Sequence, residues 1–317
     1  MRVLFASMAT VGHTYPLIPL AVAARAAGHE VHFAVGEEMH PVLGKLGLRP
    51  FRPGLVFGEI YAEDIAQDLE RLLPDLVVGG WAVPEVVSEA RRRGFPAVWH
   101  GFGRMFPDGV GLVRPEGGRH VDICPPSLQD PAFLAQDRIP LRPVPFSPPG
   151  EVPVRTAGKM VYLTLGTAFG TRELLAEAVV GLGKLSDVQV VVAAPRVVLT
   201  DLPPNVTVHP WLPQAEVLRY ADVVVHHGGS GTMLGALTAG VPQVVLPQGA
   251  DQFANADALV AAGAAVRPHA FSAGPIADCA RLLLVTGQYR EAAGHLAREI
   301  RHMPSPEEVA DRLADVV

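Results

Sequence analysis

At 317 residues, 49% apolar and 18% charged, the chain is long enough for two globular domains and too apolar to be disordered. Its formal net charge of −6 argues against a nucleic-acid or anionic-membrane surface, which needs a positive field to recruit phosphates. Cys124 and Cys279 lie far apart outside any ligand pattern, no apolar run reaches the roughly 20 residues that span a bilayer, and a cytoplasmic protein is expected.

The chain opens with a strand (Val3 to Ser7), a glycine-containing turn and a helix from about Tyr15 to Ala27, which Gly28 ends. The strand HEVHFAV follows at once, a βαβ unit with the short connections of a parallel sheet. Two further pairs follow: IAQDLERLL with DLVVGG, and EVVSEARRRG with PAVWHG. Between Gly101 and Pro153 the pattern fades among many Pro and Gly residues. Alternation resumes at MVYLTLG, then a helix from Arg172 to Leu185, the strands VQVVVAA and NVTVHPW, and a short helix from Pro213. The stretch HHGGSGTMLGALTAGVPQVVLPQGADQFANA then continues VVVHH through a glycine turn into a helix, a second buried strand and a loop with Asp251 and Gln252. Helices interrupted near Pro304 and Pro306 close the chain. The fold class is α/β: two doubly wound, Rossmann-like domains facing an interdomain cleft, residues 1–148 and 149–317, with the C-terminal helix able to return to the first.

Several chemistries fail at the sequence. No G-x-G-x-x-G follows a strand, and no Gly-Lys pair is followed by Ser or Thr, so dinucleotide and P-loop readings lose their basis. Thr232 stands where a nucleophile elbow needs its final glycine. Adjacent His226 and His227 point to opposite faces of a strand with no carboxylate at ligand spacing, so no metal site is expected. Without an Asp-x-Asp motif, charge on a diphosphate must be met by N–H groups, a helix dipole and neutral or cationic side chains. Gly228 and Gly229 allow close backbone approach, and Ser230, Gly231 and Thr232 open a helix with unpaired N–H groups, although the glycines could serve only a tight turn. Trp211 offers a flat face for a nucleobase, or is a core residue. Asp251 and Gln252 suit sugar hydroxyls, while Asp251 also suits a helix N-cap. His13, just after the first strand, has the ordinary imidazole pKa of a general base, though a lone histidine is more often structural.

The segment WLPQ, VVVHHGGSGTMLGAL and GVPQVVLPQGADQFANA resembles the nucleotide-sugar signature of family 1 glycosyltransferases of the GT-B fold. With MRVLFASMATVGHTYPLIPLAVAARAAGHEV it is similar to actinomycete antibiotic glycosyltransferases, especially those acting on enediyne (calicheamicin-type) and other polyketides. The resemblance implies an inverting transferase moving a sugar from a dTDP- or UDP-sugar to a hydroxyl of a hydrophobic acceptor, with no cofactor, metal, nucleic acid or membrane partner; a homodimer is left open. It implies His13 as general base, with His227, Gly228, Gly229, Ser230, Gly231, Thr232 and Thr167 around the diphosphate. Trp211, the Leu212 backbone and Gln214 would hold the nucleoside, and Asp251 and Gln252 the sugar. His100 and Phe102 are candidate acceptor-lining residues, and Glu85 or Asp64 candidate acidic partners of His13. Two alternatives stand beside this: a non-catalytic activator of another transferase, and a GT-B sugar-nucleotide epimerase.

The N-terminal half is short for this family, locally around Gly54 to Gly58 and Gly103 to Gly118. Either the acceptor wall is reduced or loops are missing from the chain. The abrupt joins in FGRMFPDGVGLVRPEGGRHVDI favour missing loops.

Overall fold

The structure, a computed structural model, describes residues 1–54, 60–167, 170–195, 197 and 199–316. Apart from Gly54, the junction expected around Gly54 to Gly58 lies outside the described residues. The chain divides into two units, Met1–Phe146 with His302–Val317, and Ser147–Arg301.

The first unit carries β1 (Arg2–Ala6), α1 (Val11–Thr14), α2 (Ile18–Ala26), β2 (Glu30–Ala34), α3 (His40–Lys45) and β3 (Arg49–Phe51). It continues with α4 (Ala62–Leu72), β4 (Leu76–Gly80), α5 (Pro84–Arg92), β5 (Ala97–His100), β6 (His120–Asp122) and β7 (Arg138–Pro140). The described strands pair in parallel in the order β3-β2-β1-β4-β5-β6-β7. Val3 to Ala6 are completely buried, because a parallel strand covered on both faces has no solvent side to fill with polar residues.

Strands β6 and β7 fall in the stretch where the sequence pattern fades. They are three residues each, too short to show a period, and they are recruited by neighbouring strands rather than by their own propensity. The β5-to-β6 crossover, residues 101–119, has no helix. Phe102, Met105 and Phe106 instead turn inward against Trp81, Trp99 and Phe133. Gln129 pins this crossover by accepting the Met105 N–H at 2.8 Å and donating to the Asp122 carboxylate at 2.8 Å. Arg138 completes Asp122's partners at 2.7 Å, so the buried charge is compensated.

The second unit carries β8 (Lys159–Thr164), α6 (Arg172–Leu182), β9 (Val188–Ala193), β10 (Val206–His209), α7 (Gln214–Val217), β11 (Val223–His226) and α8 (Ser230–Thr238). β12 (Gln243–Val245), α9 (Gln252–Ala261), β13 (Ala265–Val266), α10 (Ala273–Val285) and α11 (Gly287–His302) follow. Its described strands run parallel in the order β10-β9-β8-β11-β12-β13. Alternate residues face opposite layers: Val161, Leu163, Val223 and Val225 pack with α6 and α10, while Met160, Tyr162 and Val224 pack with Leu212, Val217 and Ala236. The last helix, α12 (Pro306–Ala310), packs on α2 of the first unit and starts with a capping box formed by Ser305 and Glu308. No described helix is long and apolar enough to cross a membrane.

In each sheet the strand order reverses once, between β1 and β4 and between β8 and β11. Crevices at the carboxyl ends of such strand pairs are where open α/β sheets bind ligands. The histidines singled out from sequence follow β1 and β11.

Candidate active site

In the second unit, β8 and β11 end side by side, with Thr164 opposite His226. His227 comes next, and its ring is packed between two glycines. A Cβ on Gly166 would lie 2.6 Å from Cε1 and 2.7 Å from Nε2, and a Cβ on Gly229 would overlap Nε2. These glycines therefore make a slot for an imidazole as well as a turn. Nδ1 of His227 is buried with no hydrogen-bond partner, and burial lowers the imidazole pKa to about 4. The ring is neutral near pH 7.

Gly228, at φ +94°, turns the chain into α8, whose N-cap Gly229 offers no side chain. The first intrahelical bond is Met233 N–H to the Gly229 carbonyl, which leaves the Ser230, Gly231 and Thr232 N–H groups as the helix's free donors. The hydroxyls beside them are already used. Ser230 donates to Asp251 at 3.0 Å, and Thr232 donates to Gln214 at 3.2 Å. Anion recognition at this turn is thus left to backbone and dipole. Thr167, on the neighbouring loop after β8, is exposed.

Trp211 is 46% exposed, which removes the core reading; its ring lies against Gly150, where any Cβ would overlap it. Leu212 is buried with Met160 and Tyr162 and anchors the segment. Gln214 Oε1 accepts from Thr232 and from the Tyr162 hydroxyl at 3.4 Å. The loop after β12 is tied down as firmly. Asp251 occupies the N-cap position of α9 but makes no capping bond, a correction to that reading. Its carboxylate accepts from Ser230 and from Asn255 at 2.8 Å, and burial raises its pKa. Gln252 is 2% exposed, its Oε1 accepting the N–H groups of Gln248 at 2.8 Å and Gly249 at 3.3 Å.

In the first unit, the Ser7 and Thr14 hydroxyls bond at 2.9 Å and Thr14 donates to the Met8 carbonyl at 2.9 Å, which fixes the turn from β1 into α1. His13 is half-buried there, its ring edge-on to Phe102 with centroids 4.7 Å apart. Desolvation lowers its pKa to about 4, and Nδ1 has no partner. Neither acidic candidate serves it: Glu85 accepts the Ala62 N–H at 2.7 Å, and both Glu85 and Asp64 sit in the first turn of their helices.

His100 and Phe102, expected to line an acceptor wall, are 0% and 5% exposed. The correction has a plain cause: without a helix between β5 and β6, Phe102 is drawn into the aromatic core with Trp81 and Phe106, and His100 is covered at the end of β5. His100 Nδ1 lies 2.7 Å from the Gly101 carbonyl. His120, which the sequence did not single out, accepts the Trp81 indole N–H at 3.2 Å. His226, Gln243 and Asn255 were equally silent as donor-site residues. The one signal for them was polar residues at positions whose period demands burial. Among the described residues no His, Cys, Asp and Glu group could hold a metal ion.

Residues 176–316 match the family described as Erythromycin biosynthesis protein CIII-like, C-terminal domain. The chain is 32% identical to L-demethylnoviosyl transferase of Streptomyces niveus, covering 99% of this chain and 98% of that one. That alignment runs over 377 positions against 317 residues here, so the relative carries segments this chain lacks. It is also 32% identical to elloramycin glycosyltransferase ElmGT of Streptomyces olivaceus, covering 99% and 97%. Among solved structures, spinosyn rhamnosyltransferase SpnG complexed with thymidine diphosphate superposes with a TM-score of 0.83 at 26% identity over 100% of both chains. Two parallel, Rossmann-like sheets and full-length identity agree: the chain belongs to the family 1 glycosyltransferases of actinomycete antibiotic pathways, with the GT-B fold.

Proposed function

We propose that the chain transfers a deoxysugar or hexose from a dTDP- or UDP-linked donor to a hydroxyl of a hydrophobic secondary metabolite, such as an aromatic or enediyne polyketide, with inversion and without a metal ion or cofactor. The observation that carries this reading is the His227 slot: a neutral imidazole held between Gly166 and Gly229, beside the free N–H groups of α8. A diphosphate fits such a place because several N–H groups and a helix dipole can meet its charge without a cation. The half-exposed Trp211 gives a base a face to stack on, and thymidine diphosphate in the SpnG structure favours dTDP.

In this reading His13 takes the acceptor's proton at Nε2. As it does so, the acceptor oxygen forms its bond to the anomeric carbon, the bond from that carbon to the diphosphate oxygen breaks, and the electron pair leaves with the nucleoside diphosphate. Attack opposite the leaving group inverts the centre. Burial keeps His13 neutral and able to accept at neutral pH, at the cost of a weaker base. Asp251, already oriented by internal hydrogen bonds, presents its remaining acceptor capacity to the sugar, while the buried Gln252 holds the loop's shape through the Gln248 and Gly249 N–H groups.

The test is a mass-spectrometric screen of dTDP- and UDP-sugars against aromatic polyketide, enediyne and macrolide aglycones. A glycoside formed with one equivalent of nucleoside diphosphate supports the reading. Turnover of the nucleotide sugar without acceptor assigns an epimerase or hydrolase instead, and failure to release diphosphate in any pairing leaves the non-catalytic activator.

A further inference from the structure

We propose that His226 and Asn255 are positioning residues that hold the Gly228 N–H and the Gly228 carbonyl, in the two peptide groups flanking its Cα, and so fix which N–H groups of the following turn face a donor diphosphate. The inference rests on the donor-site reading above and deepens it.

The grip is fully specified by hydrogen bonds. His226, the last residue of β11, is completely buried, and its Nδ1 accepts the Gly228 N–H at 3.1 Å. That bond requires a lone pair on Nδ1, which places the ring proton on Nε2. Nε2–H then donates to Oε1 of Gln243 at 2.7 Å, and Gln243, in β12, is also completely buried. From the other side Asn255, 1% exposed on α9, donates from Nδ2 to the Gly228 carbonyl at 3.0 Å and to Asp251 at 2.8 Å. Both polar groups of the Gly228 residue are thereby consumed by buried side chains.

Gly228 needs this support because glycine is the residue least restrained at φ +94°. A rotated Gly228 would strand a buried N–H and a buried carbonyl, the costly case for hydrogen bonds. With the turn locked, Gly229 to Thr232 keep one orientation before any ligand arrives, and pre-aimed donors bind without reorganisation at the moment of reaction. Asn255 does this while also holding Asp251, so the diphosphate turn and the sugar loop are registered by one amide. His227, one residue on, faces the slot; His226 acts only through the backbone.

The experiment is calorimetric titration of dTDP and UDP into the native protein and into His226→Leu, His226→Asn and Asn255→Ala, with donor and acceptor KM measured beside it. His226→Leu is expected to weaken nucleoside diphosphate binding roughly tenfold or more and to raise donor KM while leaving acceptor KM unchanged. His226→Asn, whose Oδ1 can replace the Nδ1 acceptor, is expected to recover most of the loss. A folded His226→Leu that binds like native, or a His226→Asn as weak as the leucine variant, overturns the proposal. If His226→Leu does not fold, Asn255→Ala decides: it should weaken binding several-fold, and native affinity there overturns the grip. A native protein that binds neither nucleotide fails the donor-site reading itself, a different result from variants that bind as well as native.

Discussion

The two switch points solve opposite problems. After β11, apart from His227 Nδ1, the named polar side chains are paired: Ser230 with Asp251, Thr232 with Gln214, and the Gly228 N–H and carbonyl with His226 and Asn255. After β1, His13 stands against Phe102 with an unpartnered Nδ1, and His100 and His120 each bury an unpartnered Nε2. The first region is a rigid set of backbone donors suited to a charged ligand. The second is an aromatic core that buries and desolvates its imidazoles. Under the proposed function, charge is held at one sheet and the proton is moved at the other, so the His13 and Gly229 variants below should each damage one without the other.

The largest expected effect is on the proton. His13→Ala should lower kcat by about a hundredfold or more, measured by nucleoside diphosphate release at saturating donor and acceptor; turnover within a few fold of native would remove His13 from the chemistry. Next is the slot. Gly229→Ala places a methyl group on His227 Nε2, while φ −64° and ψ 140° at Gly229 suit alanine, so the loss comes through the displaced ring alone. Donor KM should rise by roughly ten- to a hundredfold, in line with one lost charged hydrogen bond; an unchanged donor KM would separate His227 from the diphosphate. Trp211→Ala should cost about tenfold in nucleotide affinity, the scale of one base–aromatic stack, with Trp211→Phe losing less. Equal affinity in both variants and native would assign the exposed indole elsewhere.

A further effect is on pH dependence. His13, His100, His120 and His227 have folded pKa values lowered to about 4, and His226 to about 3, mainly by burial. The unfolded chain then binds more protons than the folded one between these values and the ordinary 6.5. Their stabilising share is complete above about pH 6.5 and is lost as pH falls toward 4. Thermal melting between pH 7.5 and 4.5 should show Tm falling steadily, and a flat Tm would contradict burial of these rings. For the same reason the acid limb of kcat/KM should lie nearer pH 4 than 6.5.

The strand, glycine turn and helices around His227 were legible in the sequence because their signals are local. VVVHH, GGSGT and DQFANA carry their strand, turn and helix signals in consecutive residues. The first unit was less legible. Strands β6 and β7 have three residues each, and Phe102, expected to line an acceptor wall, lies in the core. The internal pairings of Asp251, Gln252 and Gln214 were hidden for another reason: each partner lies on a different element, and single-sequence reading sees residue types but not which partner reaches them. His226 shows the limit most clearly. The doublet His226-His227 invites a metal reading, whereas the fold sends one ring to a backbone N–H and the other into a glycine slot.

The separation of duties is tested most directly by titrating dTDP calorimetrically into native protein, His13→Ala and Gly229→Ala under one set of conditions. Native and His13→Ala should bind with the same Kd, and Gly229→Ala at least about tenfold more weakly. Loss of binding in His13→Ala, or native affinity in Gly229→Ala, would contradict the assignment of charge to one sheet and proton to the other.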